Sequence, residues 1–360
     1  MDKIILAGDV GGTKTLLQIA VCNDGESGLA TVYEKRYPST QFNTFDELLS
    51  HFLTSALAQN VPVPTRGCVG VAGPVVLEAK GNNKKINYIA KVTNLPWLID
   101  ADIIASQFNF SRFTLINDFQ AVGYGLETLS DEAFFILQEG DTSFPDLPQP
   151  RVLIGAGTGL GQGLLIWQGN AEHGHYAVLG SEGGHGDFSP GSQEQTNLRQ
   201  FLARKNARVS VEDVLSGRGL VNIYQYYTDK YPDQVSEALT QAMAEGDPAA
   251  AVSEAASLVS DSMVSDSVVS NLLAKQAMDL FVEIYGCQAG NLALTCMAKG
   301  GVFIAGGIAA KIQSQLIAGL FIKAFQDKGP MSGLMETIPV KLVLNPEVGL
   351  KGAALMASRM

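Results

Sequence analysis

The sequence predicts an α/β fold organised in two halves, and three observations carry that prediction. Residues 4–19 are an apolar run, a glycine-rich turn and a second apolar run, Ile4-Ile5-Leu6-Ala7-Gly8-Asp9-Val10-Gly11-Gly12-Thr13-Lys14-Thr15-Leu16-Leu17-Gln18-Ile19. Residues 151–167 repeat the plan around Gly155-Ala156-Gly157-Thr158-Gly159-Leu160-Gly161. Between and after them, buried strand-like runs alternate with helical periodicities, which calls for layers of sheet and helix. A length of 360 residues accommodates two domains.

After the first hairpin, residues 29–37 read as a short strand. Thr44-Phe45-Asp46-Glu47 reads as a capping box that starts a helix, with Glu47 reaching back to the cap. Phe45, Leu48, Leu49, Phe52, Leu53 and Leu57 make its apolar stripe, and Pro62 and Pro64 stop it. Residues 67–74 are a buried strand entering a turn, so residues 1–74 give three strands, a helix and a strand. Residues 75–92 are more polar and include the charged, turn-like Lys80-Gly81-Asn82-Asn83-Lys84-Lys85. A helix is expected over 100–109, a buried strand over 113–116, and a small-residue helix over 120–126. Pro145, Pro148 and Pro150 mark an irregular loop, so a domain boundary falls within 126–150.

The second hairpin then restarts the plan. Residues 181–187 form a polar, glycine-laden loop, and 194–205 read as a helix. Ser210-Val211-Glu212-Asp213 resembles a helix start, which Ser216-Gly217-Arg218-Gly219 breaks before another helix over 220–227. Residues 248–294 are rich in alanine and serine. Leu258, Val259, Met263, Val264, Leu272, Leu273, Met278, Leu280, Phe281 and Ile284 favour two packed helices there over a linker. Residues 300–308 are a strand running into a Gly-Gly turn and a helix; 338–344 and 347–358 are a last strand and helix.

The formal net charge is −11, which opposes a nucleic-acid or membrane-surface partner, since either needs a basic face. A polyanion would have to be met locally, by backbone amides and a metal. Cys22, Cys68, Cys287 and Cys296 follow no CxxC spacing and read as buried free thiols of a reducing compartment. The N-terminus enters a strand directly, without a signal-peptide pattern, and no stretch reaches the ~20 apolar residues of a membrane span. A cytoplasmic location is therefore expected.

Glycine turns let the backbone approach a ligand and aim its amides at an anion. The first turn carries Asp9, Thr13 and Lys14; the second carries Thr158 and Gln162. One carboxylate beside a phosphate-sized nest suits Mg2+ bridging phosphates. Each stretch alone also fits a plain β-hairpin, and the spacing is neither the Rossmann nor the Walker pattern. The pair together favours nucleotide binding. Asp118 stands where a buried strand ends, the address at which open α/β sheets bind ligands. It could accept a hydroxyl proton in phosphoryl transfer, with Asn117 fixing the same substrate, or it could cap the next helix. Glu182 and His185 share one loop and could grip vicinal hydroxyls; a metal site and a solvated loop are the alternatives. Glu212 adds a carboxylate or caps a helix. Lys14 could reach a phosphate, and Gly306 and Gly307 could lie against a nucleoside or simply start a helix.

The motifs Gly8-Asp9-Val10-Gly11-Gly12-Thr13, Leu115-Ile116-Asn117-Asp118-Phe119, Gly155-Ala156-Gly157-Thr158-Gly159-Leu160-Gly161, Ser181-Glu182-Gly183-Gly184-His185 and Ala305-Gly306-Gly307-Ile308 occur in this order. So do Leu215-Ser216-Gly217-Arg218-Gly219-Leu220-Val221-Asn222 and the Pro339-Val340 strand. Together they resemble bacterial-type ATP-dependent glucokinases of the hexokinase–actin-like ATPase superfamily, across essentially the whole chain. The resemblance implies two ribonuclease H-like α/β domains with mixed sheets flanked by helices and a ligand cleft between them. The smaller would span 1–126 completed by 346–360, and the larger 127–345. It implies ATP and Mg2+ as cofactors and glucose as substrate. Asp118 would be the base on the sugar 6-hydroxyl, and Asn117, Glu182, His185 and Glu212 would bind other hydroxyls. Gly8, Gly11, Gly12, Thr13, Gly157, Thr158 and Gly159 would surround the phosphates, Gly306 and Gly307 would lie near the nucleoside, and Asp9 would hold Mg2+ through water.

Two departures stand out. Lys14 occupies a position where many of the group have asparagine, so it receives no phosphate role. The chain is also longer than compact bacterial members around 139–150 and 246–275, additions for which a homodimer interface is one use. No cysteine-rich zinc motif comes after the Glu182 loop, which separates the chain from the repressor-type sugar kinases. The rival readings are a non-catalytic sugar or nucleotide sensor, a kinase of another hexose, and an actin- or chaperone-like ATPase. The sensor would want a DNA-binding helix-turn-helix, and no residues precede the first strand to form one.

Overall fold

The computed structural model describes residues 3–22, 28–80, 85–141, 148–170, 173–259 and 271–360. It is an α/β structure with mixed sheets flanked by helices, divided into two compact units. One comprises 1–132, 176–180 and 345–360, and the other 133–175 and 181–344.

The first unit is built on β1 (Lys3–Val10), β2 (Lys14–Cys22), β3 (Leu29–Pro38), β4 (Arg66–Val71) and β8 (Arg112–Asn117), in the order β3-β2-β1-β4-β8. β1 runs antiparallel to β2 and parallel to β4, and β4 runs parallel to β8. Alternate β1 residues feed opposite faces. Leu6 and Val10 enter a core with Phe45, Leu48, Leu49 and Phe52, whereas Ile5 and Ala7 meet Leu350, Ala353, Ala354 and Ala357 of the last helix. β5 (Val75–Lys80), β6 (Lys85–Lys91) and β7 (Leu98–Asp100) form a separate antiparallel sheet in the polar stretch. The turn expected at 80–85 lies largely outside the described residues.

The Phe45–Leu57 helix starts as expected, with the Thr44 hydroxyl accepting from the Glu47 amide. The return half of the capping box is displaced by one residue: Glu47 accepts from the Asn43 amide, not from Thr44. Asn60, left-handed at φ 59°, turns the chain away before either proline. The Asp100 side chain caps the Ala101–Gln107 helix.

The second unit repeats the plan. The six-stranded sheet runs β12 (Gly174–Ser181, of which 176–180 are counted in the first unit), β11 (Leu160–Gly169), β10 (Arg151–Ala156), β13 (Val302–Ala305), β14 (Val340–Val343) and β9 (Phe134–Gln138). β10 is antiparallel to β11 and parallel to β13, β13 is parallel to β14, and β9 closes the edge antiparallel. β9 and β12 are strands that the sequence reading lacked. The Leu272–Cys296 helix runs through the core beside the Gly217–Lys230 and Pro248–Ser257 helices. Two expectations need correcting. Leu258 lies beyond the Pro248–Ser257 helix and is 72% exposed, and Met263 and Val264 lie outside the described residues. Residues 210–213 make a single turn, with Leu215 N donating to Val211 O, and the helix begins later, capped by Ser216. The serine expected to break a helix therefore starts one. The cysteines are free, but only Cys68 is fully buried. Among the described residues no helix is long and apolar enough to cross a membrane.

The Val348–Arg359 helix packs on the Asp118–Gly125 helix backbone to backbone. A Cβ at Gly352 would lie 1.8 Å from Ala121 O, and one at Gly125 1.9 Å from Val348 O. Gly349 has ordinary clearance, 3.7 Å to Val122. Gly352→Ala should therefore destabilise the protein by about 3 kcal/mol or more, while Gly349→Ala should stay within about 1 kcal/mol, because only the former overpacks backbone. Urea midpoints check this, and equal midpoints would contradict the packing.

Candidate active site

In the first unit, β1, β4 and β8 are aligned so that their carboxyl ends lie side by side: Asp9 pairs with Gly70, and Val71 with Asn117. Asp9 and Asp118 thus emerge at the same end of the sheet. Burial is the main influence raising the proton affinity of the Asp9 carboxyl, with Lys14 and Arg36 opposing it. Asp118 opens the Asp118–Gly125 helix, but the cap is Asn117. Asn117 Oδ1 accepts from Phe119 N at 2.9 Å and Gln120 N at 3.4 Å, while Gln120 Oε1 accepts from Asn117 N at 3.2 Å. Asn117 Nδ2 also donates to Gly73 O at 3.1 Å. With the cap supplied by its neighbour, Asp118 bonds only locally, its Oδ1 accepting from Phe119 N at 2.8 Å. Burial, reinforced by Asp9 and opposed by the Phe119 amide and Asn117, pushes the Asp118 carboxyl up to about 6.

The turn between β1 and β2 is held from beneath. Gly11 N donates to Lys14 O, Ser39 N to Thr13 O, and Ser39 Oγ to Gly11 O at 2.7 Å. Thr15 Oγ1 lies 2.9 Å from Ser39 Oγ, and both residues are fully buried. Thr13 and Lys14 face solvent.

In the second unit, Gly157 N donates to Gly159 O and Gly217 N to Gly157 O, both at 2.8 Å. Leu160 N donates to Glu212 Oε2 at 3.0 Å. Arg218 faces the other oxygen, Glu212 Oε1, at 3.5 Å and lies 3.0 Å from Asp213 Oδ1. Glu212 is therefore a brace for the glycine turn and caps no helix. Its backbone joins the neighbouring loop as well, Glu212 N donating to Gly184 O at 2.9 Å. That loop is a single 3-10 turn, Gly183–His185, in which His185 Nε2 lies 3.8 Å from Glu182 Oε2. Both side chains are largely exposed. Thr158 is exposed too, and Gly306 and Gly307 are exposed at the start of the Gly307–Lys311 helix.

The first unit thus gathers Asp9, Gly11, Gly12, Thr13, Asn117 and Asp118, and the second gathers Glu182, His185 and Glu212 beside the 157–159 turn. Ser39, Thr15 and Arg218 had no assigned role in the sequence reading. Arg218 had a signal, a lone cation six residues past Glu212; Ser39, in a Pro-Ser-Thr stretch, had none.

The glucokinase family model matches residues 6–360. A glucokinase of Nostoc punctiforme is 40% identical, with 99% of each chain covered. Among solved structures, a glucokinase from an Antarctic psychrotroph is 26% identical at a TM-score of 0.79, with 99% of each chain covered. A Balamuthia mandrillaris glucokinase in complex with glucose is 22% identical at a TM-score of 0.74, covering 99% of this chain and 94% of its own, and supports the fold alone. The chain belongs to the glucokinase family and is a kinase that phosphorylates glucose.

The bracing of the glycine turn is testable apart from activity. Glu212→Ala leaves the buried Leu160 amide without its acceptor and should cost about 1–3 kcal/mol. Glu212→Gln keeps an acceptor and loses only the charge facing exposed Arg218, which should cost less than about 1 kcal/mol. Chemical denaturation distinguishes the two, and equal losses would show that charge, not the acceptor, braces the turn.

Proposed function

We propose that this protein transfers the γ-phosphoryl group of ATP to the 6-hydroxyl of D-glucose, with Asp118 as general base. The observation that carries the reading is the state of Asp118: a half-buried carboxylate at the end of a sheet strand, relieved of capping by Asn117 and raised to about 6 by burial. Above that pH it is ionised, and it is a stronger base than an ordinary carboxylate, the compromise a general base needs near neutrality. It takes the proton of the sugar hydroxyl as that oxygen bonds to the γ-phosphorus and ADP leaves.

Asn117, Glu182, His185 and Glu212 bind the remaining hydroxyls. Asn117 Nδ2 has a second hydrogen beyond the one given to Gly73 O. Each Glu212 oxygen has a lone pair beyond those facing Leu160 N and Arg218. Glu182 and His185, exposed and facing one another, offer acceptors and a donor. The amides of Gly12 and Thr13, with those of Thr158 and Gly159, meet the phosphates, while Gly8, Gly11 and Gly157 shape the turns, the Gly11 and Gly157 amides being held by Lys14 O and Gly159 O; Gly306 and Gly307 lie near the nucleoside.

Asp9 fits a magnesium site. Its carboxylate carries charge at a cost, which burial registers as raised proton affinity, and a cation bridged through water offsets that cost. Magnesium there would neutralise charge building on the phosphate oxygens.

Three outcomes are expected. Asp118→Asn should lower kcat by about two orders of magnitude or more while calorimetric glucose binding persists. Turnover near that of the parent would remove Asp118 from the base role, whereas a parent protein that binds glucose but releases no ADP would favour the sensor. The acid limb of kcat/KM should fall away as pH drops through about 6, since protonation removes the base; a limb near 4 would contradict the raised carboxyl. Excess EDTA should abolish turnover and added Mg2+ restore it, and activity that persists in chelator would exclude the Asp9 metal reading.

A further inference from the structure

Among the polar groups that the Leu272–Cys296 helix carries into the second unit is the hydroxyl of Tyr285, which is fully buried. It sits where β10 and β13 part company. The two strands pair in parallel from Val152 with Val302 as far as Gly155 with Ala305. Past that point β10 turns into 157–159 and β13 into Gly306-Gly307. Ala156 N donates to the Tyr285 hydroxyl at 3.2 Å, and the single hydroxyl hydrogen faces Ala305 O at 3.4 Å and Ile154 O at 3.5 Å. One oxygen thus stands in for the next rung of the ladder and fixes the last residue of each strand.

The backbone just beyond Ala156 and Ala305 is tightly constrained. Gly306 has φ 90°, and a Cβ there would come within 2.7 Å of Ala156 O. The two glycine turns therefore lean on each other through Ala156, and Ala156 is held by Tyr285. The tyrosine ring packs edge-on against Phe281 and Phe321, with centroids 6.1 and 5.6 Å away. Ring and hydroxyl thus have separable duties: the ring fills the core, and the hydroxyl sets the splay of two strand ends.

We propose that Tyr285 is a positioning residue for nucleotide binding: its hydroxyl holds the 157–159 and Gly306-Gly307 turns in register, so that one face receives phosphate and the other the nucleoside. Tyr285 touches neither substrate. The inference rests on the reading of these turns as the nucleotide site, and it adds a residue buried beneath that site.

Tyr285→Phe removes the hydroxyl and keeps the ring, whereas Phe281→Leu loosens the same packing and leaves the hydroxyl. Calorimetry with ADP and with glucose, steady-state kinetics and thermal melts would be run on both variants and the parent. The expected result for Tyr285→Phe is an ADP Kd and an ATP KM raised about tenfold, the effect of orphaning one buried amide, with kcat and glucose KM within about twofold. Phe281→Leu should melt lower with its ADP Kd unchanged. An unchanged ADP Kd in Tyr285→Phe would overturn the inference and leave the kinase reading intact. Equal weakening in both variants would overturn it also, since generic loosening would then account for the effect. A parent protein that binds glucose but neither ADP nor ATP would overturn the nucleotide reading, and the role of Tyr285 with it.

Discussion

Both glycine turns of this chain have carbonyls tied down by residues distant in sequence, and that fixes the backbone whose remaining amides could meet an anion. In the first unit Ser39 does it alone, its hydroxyl donating to Gly11 O and its amide to Thr13 O, while buried Thr15 steadies the hydroxyl. In the second, Gly217 N takes Gly157 O, and the Glu212 carboxylate and the Tyr285 hydroxyl accept the Leu160 and Ala156 amides on either side of the turn. Buried polar groups left unpaired cost about 1–3 kcal/mol each, so these braces do not come loose individually without consequence. The braces of the two turns differ in chemistry: serine in one, glutamate and tyrosine in the other.

The position of Asp118 depends on a second constraint, close packing of two helices made of small residues. The Val348–Arg359 helix covers one face of the first sheet with Leu350, Ala353, Ala354 and Ala357, and it meets the Asp118–Gly125 helix through Gly352 and Gly125. That contact fixes the height of the Asp118 helix over β4 and β8. The Asn117–Gln120 capping box then fixes its first turn. A carboxylate one residue past a satisfied cap has few directions left in which to point, so packing more than 200 residues along the chain governs the aim of the proposed base.

How far the sequence reveals this depends on burial. β1, β4, β10 and β13 are short apolar runs buried on both faces, β8 buries Phe113 and Leu115 on one, and such runs announce themselves. β5 and β6 expose Val76, Leu77 and Ile86 and carry lysines, so they read as a more polar stretch with a turn and no strand is assigned. Gly217 and Gly219 suggest a helix break by composition, but Ser216 Oγ accepts from Gly219 N and makes them the first turn of a helix. The turns themselves, Asp9, Asp118 and the Glu182 loop, were legible as motifs because chemistry at a turn needs particular residue types close together. Their braces were not. Tyr285 is one aromatic among many in a 25-residue apolar helix, and its polar duty is set by what lies opposite, which no spacing records.

Electrostatics ties these parts into one arrangement. The chain carries a net charge of −11, and its first unit sets two carboxylates, Asp9 and Asp118, at one end of a sheet. Burial raises the proton affinity of both, and Asp9 raises that of Asp118 further. Left alone, such a pair is harder to ionise than two separate carboxylates. Two features act against that: the Phe119 amide at the helix N-terminus, which favours the ionised Asp118, and the cations Lys14 and Arg36, which favour the ionised Asp9. A positive ion beside Asp9 works in the same direction, since quenching one negative charge lowers the cost of the other. On the proposed function, the group that neutralises the phosphates and the group that takes the sugar proton are then coupled through like-charge repulsion across the end of β4, the strand between β1 and β8.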